Sequence, residues 1–199
     1  MHKHWIAAGS LLVVVIVFVC GCSTPTPDPP THAGVSVSPR VTTAGTSGGL
    51  TLHVASLASD ATLPDIYSCR GTAESPAISW DGIPDGTKSL VLILDDPDAP
   101  AGPFTHWIVY NIPPTVGGLA PAQPNAKVLA SGAQQGETTA GSRGYYPPCP
   151  PIGTTHRYVF RLYAVDMDIT QPTADRNSID WALNGHTLTK AEFTTTFRR

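Results

Sequence analysis

From Leu50 onward the apolar residues come in strand-length runs that Pro and Gly cut off before a helix can develop. Leu50, Leu52 and Val54 alternate with Thr51 and His53, the pattern of a half-buried strand. Ala77 to Trp80 is a short apolar run closed by Asp81-Gly82 and Pro84-Asp85-Gly86, both turn signals. Ser89 to Leu94 is apolar throughout and reads as a strand buried on both faces. His106 to Ile112 is rich in aromatic and β-branched residues and stops at Pro113-Pro114, and Tyr158 to Val165 alternates around Arg161. The chain holds 18 Gly and 20 Pro in 199 residues, against average usage of about 7% and 5%. No helical stretch separates the runs, so antiparallel sheets are expected rather than βαβ units. Helix is expected only at the end. Ser178 to Leu183 has Asn184-Gly185 as its stop signal, and Thr187 to Phe197 places Leu188, Ala191 and Phe197 roughly on one face. Gly117 to Gly144 shows no clear period.

The N-terminus carries an export signal. Lys3 lies in a short polar segment, Leu11 to Val19 is apolar, and Val19-Cys20-Gly21-Cys22 closes the run with small residues. Nine apolar residues are too few for a comfortable membrane span. The ending resembles the lipobox of bacterial lipoproteins, in which the cysteine after the small residue is diacylated; here that is Cys22. The alternatives are an uncleaved anchor or an ordinary secretory signal. Residues 1–21 are read as the signal and 22–48 as a spacer. Pro25, Pro27, Pro29, Pro30 and Pro39 favour extended backbone there, with almost nothing apolar to bury. The folded domain is expected over 49–199. With Cys20 removed and Cys22 acylated, Cys69 and Cys149 remain, and two cysteines in an exported domain suggest one disulfide. Their spacing fits no zinc motif.

Charged residues make up 14% of the chain and hydrophobic residues 41%, which excludes a disordered chain. The net charge is -3 and no Lys/Arg run exists, which argues against nucleic acid as a partner. Gly45-Thr46-Ser47-Gly48-Gly49 matches the G-x-S-x-G pattern of a hydrolase nucleophile. It lies in a Thr/Gly linker rather than between strand and helix, so Ser47 is not read as catalytic. Two other segments hold polar groups in rigid frames. Asp95-Asp96-Pro97-Asp98-Ala99-Pro100 ends the buried strand and is followed by Thr105-His106-Trp107. Pro147-Pro148-Cys149-Pro150-Pro151 leads through Gly153 into His156-Arg157-Tyr158.

These segments resemble the phosphatidylethanolamine-binding protein family, which includes the Raf kinase inhibitor proteins and short bacterial members. One family signature, an Asp-Pro-Asp-x-Pro turn followed by a strand opening on His, matches Asp96 to Pro100 and His106. The other, a Gly/Pro loop ending in His-Arg-Tyr, matches Pro150 to Tyr158. Tyr67 to Gly71, Ser75 to Trp80 and Gly86 to Ser89 agree as well, so the resemblance covers about Leu50 to Phe197. It implies a mainly β fold of two packed antiparallel sheets with short C-terminal helices, and a small pocket for phosphate, phosphoethanolamine or similar anions. By motif, the ligand-binding residues are Asp96, His106, Pro150, His156 and Tyr158, with Pro100 and Trp107 as pocket walls. Cys149 stands where the family has a small residue before Pro-Pro.

Phosphate oxygens are acceptors, so two imidazoles and a phenol suit them as donors. An Asp beside the histidines favours their protonated form, and Asp96 itself is expected to face a ligand proton or amine. Strand alternation sends Arg157 to the opposite face, as a structural partner of Asp98. The expected function is non-enzymatic: a lipid-anchored, extracytoplasmic binding protein for a small anionic or phosphorylated ligand, without cofactor or metal. The alternative is a protease or kinase inhibitor acting through a protein surface; an exported protein has little access to cytosolic kinases. A third reading is a metal-dependent enzyme using Asp96, His106 and His156.

A diacylglycerol supplies the two chains that stable anchoring needs. Cys22→Ser is therefore expected to leave the protein soluble outside the cytoplasmic membrane or held as unprocessed precursor. Unchanged membrane fractionation and unchanged mature mass contradict the lipid anchor.

Overall fold

The computed structural model describes residues 49–171 and 174–199. The chain divides into two units, Met1–Thr43 and Ala44–Arg199, and the described residues all belong to the second. The signal, the lipobox with Cys22, the spacer and Ser47 lie outside the described residues.

Two antiparallel sheets form. β1 (Thr51–Val54), β2 (Ile78–Asp81) and β5 (Gly118–Leu119) make a three-stranded sheet in the order β1-β2-β5. The larger sheet has the order β6-β4-β3-β7-β8, from β3 (Ser89–Asp96), β4 (Phe104–Ile112), β6 (Gln134–Gln135), β7 (Thr155–Val165) and β8 (Thr187–Arg198). β3 is central and all eight of its residues are buried, as a continuous apolar run requires. Its Leu90, Leu92 and Leu94 join Leu52, Val54, Trp80, Phe160 and Phe193 in the core between the sheets. Val91 and Ile93 point the other way, into a second cluster with Ile108, Ile179, Ala182 and Leu183 under a helix. The period-less stretch 117–144 contributes only the two-residue strands β5 and β6. Gly118 is needed there because a Cβ would stand 2.4 Å from the carbonyl oxygen of Ile78 on the neighbouring strand.

The one α-helix among the described residues, α1 (Arg176–Leu183), begins at Asp175, whose Oδ1 accepts the Ser178 N–H at 2.8 Å. It ends before Asn184 and Gly185, the latter at φ +80°. The helix expected over Thr187 to Phe197 is instead the twelve-residue strand β8, paired with β7 along its length. Ala191, Phe193, Thr195 and Phe197 are buried at period two, whereas Leu188 is exposed. The β-branched run Thr194-Thr195-Thr196 and the open edge of β7 outweigh three apolar residues spaced loosely for a helix. No helix of the described residues is long and apolar enough to cross a membrane.

A buried ion cluster joins helix to sheet. Asp95 accepts from Thr105 Oγ1 at 2.7 Å, Arg161 Nη1 at 3.0 Å and Arg176 Nη2 at 3.2 Å. Asp95→Ala leaves both guanidiniums without their shared acceptor, but each keeps roughly a quarter of its side chain in solvent. The expected loss is about 1.5–3 kcal/mol, read as a lower urea midpoint at unchanged slope. An unchanged midpoint means that the cluster adds nothing to stability.

Candidate functional site

The turn after β3 is tied to the start of β7 by two carboxylates. Asp96 Oδ2 lies 2.8 Å from His156 Nδ1, and Asp96 Oδ1 accepts the Asp98 N–H at 2.8 Å. Asp98 in turn accepts from the Arg157 N–H and Nε, both at 2.9 Å, and from Nη2 at 2.6 Å. Those bonds lower the Asp98 carboxyl to about 2. Arg157 thus takes the face opposite His156, as alternation requires, and partners Asp98. Both Asp96 oxygens are engaged within the protein, so this carboxylate orients His156 rather than standing free toward a ligand amine.

His106 reaches the same place through a β-bulge. Leu94 pairs with Trp107 and Asp95 with Thr105, which leaves His106 as an extra residue in β4. A bulge re-aims the side chain it carries. Nδ1 of His106 lies 2.9 Å from the Tyr146 carbonyl oxygen, while the Tyr146 N–H donates to the His106 carbonyl at 2.8 Å. Carbonyl and carboxylate oxygens only accept, so Nδ1 carries the proton in both histidines and Nε2 is the nitrogen left for the cavity. The His106 ring sits between Phe104 at 4.7 Å, Tyr158 at 5.3 Å and Tyr146 at 5.9 Å, measured between ring centroids. Burial pushes its pKa below the ordinary value, against the upward pull of the Tyr146 carbonyl and Asp96. The expected stabilisation of His106 in its charged form is therefore reversed: desolvation outweighs the nearby carboxylates.

The proline loop closes the third side. Cys69 and Cys149 form a disulfide with Cα atoms 5.4 Å apart, and the Cys69 N–H donates to the Pro148 carbonyl at 3.1 Å. Tyr145 adds a bond from its hydroxyl to the Tyr67 carbonyl at 2.6 Å. The result is a cavity of about 410 Å³ lined by Asp96, Ala99, Pro100, Phe104, His106, Tyr146, Cys149, Pro150, Pro151 and His156.

Two expected residues stand behind this lining. Trp107 is buried in the core, its Nε1 donating to Gln135 Oε1 at 2.7 Å and its ring edge-on to Tyr145. The bulge gives the cavity position to His106 and sends Trp107 inward opposite Leu94. Tyr158 is fully buried and meets His106 edge-on instead of lining the cavity. Burial and the charge of Asp96 push its hydroxyl far above the ordinary phenol range. That hydroxyl makes no well-formed hydrogen bond among the described residues, and the Asp96 carboxylate is the acceptor near it. Phe104 and Tyr146 are lining residues that sequence reasoning missed. Phe104 sits directly opposite Asp96 in the β3–β4 ladder, and only the register reveals it. Among the described residues no group of three His, Cys, Asp or Glu is arranged to hold a metal ion, Asp96, His106 and His156 included.

The sequence profile of the phosphatidylethanolamine-binding protein family matches residues 53–198. The chain belongs to this family. A UPF0098 protein of Methanothermobacter thermautotrophicus is 46% identical over 139 residues, covering 69% of this chain and 91% of that protein. LppC of Mycobacterium tuberculosis, described as a candidate lipoprotein, is 33% identical over 175 residues, covering 86% of this chain and 84% of LppC. The crystal structure of CT736, a candidate phosphatidylethanolamine-binding protein homologue from Chlamydia trachomatis, superposes with a TM-score of 0.70 at 36% identity, covering 77% of this chain and 99% of that one. Escherichia coli YbcL, described as a new member of the mammalian family, gives 0.69 at 28% identity over 75% of this chain and 98% of its own. Both crystal structures share the fold found here.

The disulfide closes a separation of 80 residues, for which chain entropy gives at most roughly 4.5 kcal/mol of stabilisation. Alkylation of the denatured, unreduced protein is expected to leave Cys69 and Cys149 unlabelled, and prior reduction to expose both. Labelling of both without reduction contradicts the pairing.

Proposed function

We propose that this family member is a non-catalytic binding protein that captures a small phosphorylated or anionic ligand outside the cytoplasmic membrane, to which it is held by a lipid on Cys22. One observation carries the ligand reading. Two buried histidines have Nδ1 fixed by protein acceptors, 2.9 Å and 2.8 Å away, beside one cavity, so both Nε2 atoms remain for a shared guest. Family membership supports the same class of ligand. The cavity lining offers no serine, threonine or lysine to act as a nucleophile, and its one cysteine is disulfide-bonded. Aromatic and proline walls limit the ordering that binding demands. Similarity to LppC supports the anchor and the location, since it spans 86% of the chain against 69% for the archaeal relative. A second reading, inhibition of a protease, draws support from Ile152. It is 80% exposed at the tip of the disulfide-tied proline loop.

Protonation sets the pH dependence. In the free protein His106 has a lowered pKa, so at neutral pH its Nε2 is an acceptor. A bound phosphate dianion favours the imidazolium, hence binding takes up a proton and affinity rises as pH falls toward 6. Protonation of the ligand, with a second pKa of about 6, blunts the rise below that.

Calorimetric titration with phosphoethanolamine tests the assignment. His156→Ala is expected to cost about 1.5–3 kcal/mol of binding, whereas Arg157→Ala binds normally because its side chain serves Asp98. Loss of binding in folded Arg157→Ala, with His156→Ala unaffected, overturns the reading. So does an affinity that weakens between pH 8 and 6.5.

A further inference from the structure

We infer that the protein has a second binding site, for a neutral saccharide, at the far end of the large sheet. Trp181 on α1 is 74% exposed, while Ile179, Ala182 and Leu183 of the same helix are buried. A single exposed apolar side chain is ordinary by itself. This one flanks a cavity of about 380 Å³ lined also by Met167, Thr170, Asn184 and His186. His186 Nδ1 lies 2.8 Å from Asp166 Oδ1, which fixes the ring and leaves Nε2 as the nitrogen a ligand can reach. Ser89 opens β3, and its hydroxyl donates to the Met167 carbonyl at 2.7 Å. The cavity therefore lies at the opposite end of β3 from Asp96, a strand length of about 24 Å away.

Its chemistry selects the ligand class. No lysine or arginine lines it, and Asp166 adds a negative charge beside His186, which works against a phosphate. A purely apolar guest would strand the Asn184 amide and the Thr170 hydroxyl. Each of those groups both donates and accepts, as each sugar hydroxyl does. A pyranose ring presents one face of C–H bonds, which an indole face covers, and a rim of hydroxyls, which the amide, hydroxyl and imidazole can bond. Flat apolar face and mixed donor–acceptor rim occur together at this cavity.

Full-chain protein titrated with chitotriose, cellotriose and maltotriose tests the site, with Trp181 fluorescence taken as the difference between wild type and Trp181→Phe. At least one trisaccharide is expected to shift the Trp181 emission to shorter wavelength and shield it from acrylamide. Affinity should fall at least tenfold in Trp181→Ala, at unchanged melting temperature because the side chain is exposed. His156→Ala should bind the sugar normally, which separates this site from the histidine pocket. The inference is overturned if none of the three sugars shields Trp181, if binding survives Trp181→Ala, or if inorganic phosphate competes. It is equally overturned if shielding appears without sugar as protein concentration rises, which marks a contact with a second copy.

Discussion

Two adjacent carboxylates at the end of β3 do opposite work because a strand sends neighbouring side chains to opposite faces. Asp95 turns toward the helix and gathers Thr105, Arg161 and Arg176. Asp96 turns toward the cavity and holds His156 and the backbone of the following turn. The same division repeats on the neighbouring strands. Thr105 and Arg157 serve the structural side, and His106 and His156 the cavity side. Each chemically suggestive dipeptide thus supplies one residue that holds the sheet together and one that shapes the site. The site inherits its rigidity from the central strand, which is buried on both faces.

The electrostatics of the cavity are set by enclosure more than by charge. Asp96 has both oxygens bonded inside the protein, so it contributes orientation and a local field instead of a free carboxylate. His106 is wrapped by Phe104, Tyr146 and Tyr158, and loss of water lowers its affinity for a proton despite two carboxylates nearby. On the proposed function, an imidazole held in this way charges when an anion arrives, which couples binding to proton uptake. The disulfide and the Tyr145–Tyr67 bond hold the proline loop at the cavity mouth.

The sheets were legible because antiparallel strands with one or two buried faces write their burial directly into the residue pattern. Ser89 to Leu94 is the plainest case, and alternation placed Arg157 on the face away from His156. The error at β8 came from threonine. It is weakly apolar, so the buried Thr195 did not register beside Phe193 and Phe197, and three scattered residues suggested a helical face. Pro100 lines the cavity as expected, whereas Trp107 and the unforeseen lining residues have another explanation. A bulge at His106 changes the relation between position and face, which displaced Trp107 from the cavity. Phe104 and Tyr146 are brought in by register and by a loop contact that no local pattern records. Charge counting suggested a protonated His106, because burial cannot be weighed before the aromatic enclosure is known.

The central claim is that Nδ1 of both cavity histidines is spent on the protein and Nε2 is kept for the ligand. Long-range proton–nitrogen NMR of the imidazole rings, recorded with and without phosphoethanolamine, tests it most directly. The account predicts that neutral His106 and His156 both carry the proton on Nδ1, and that adding the ligand moves the two Nε2 resonances far more than the Nδ1 resonances. A proton on Nε2 of either neutral ring, or Nε2 resonances that ignore the ligand, would contradict it.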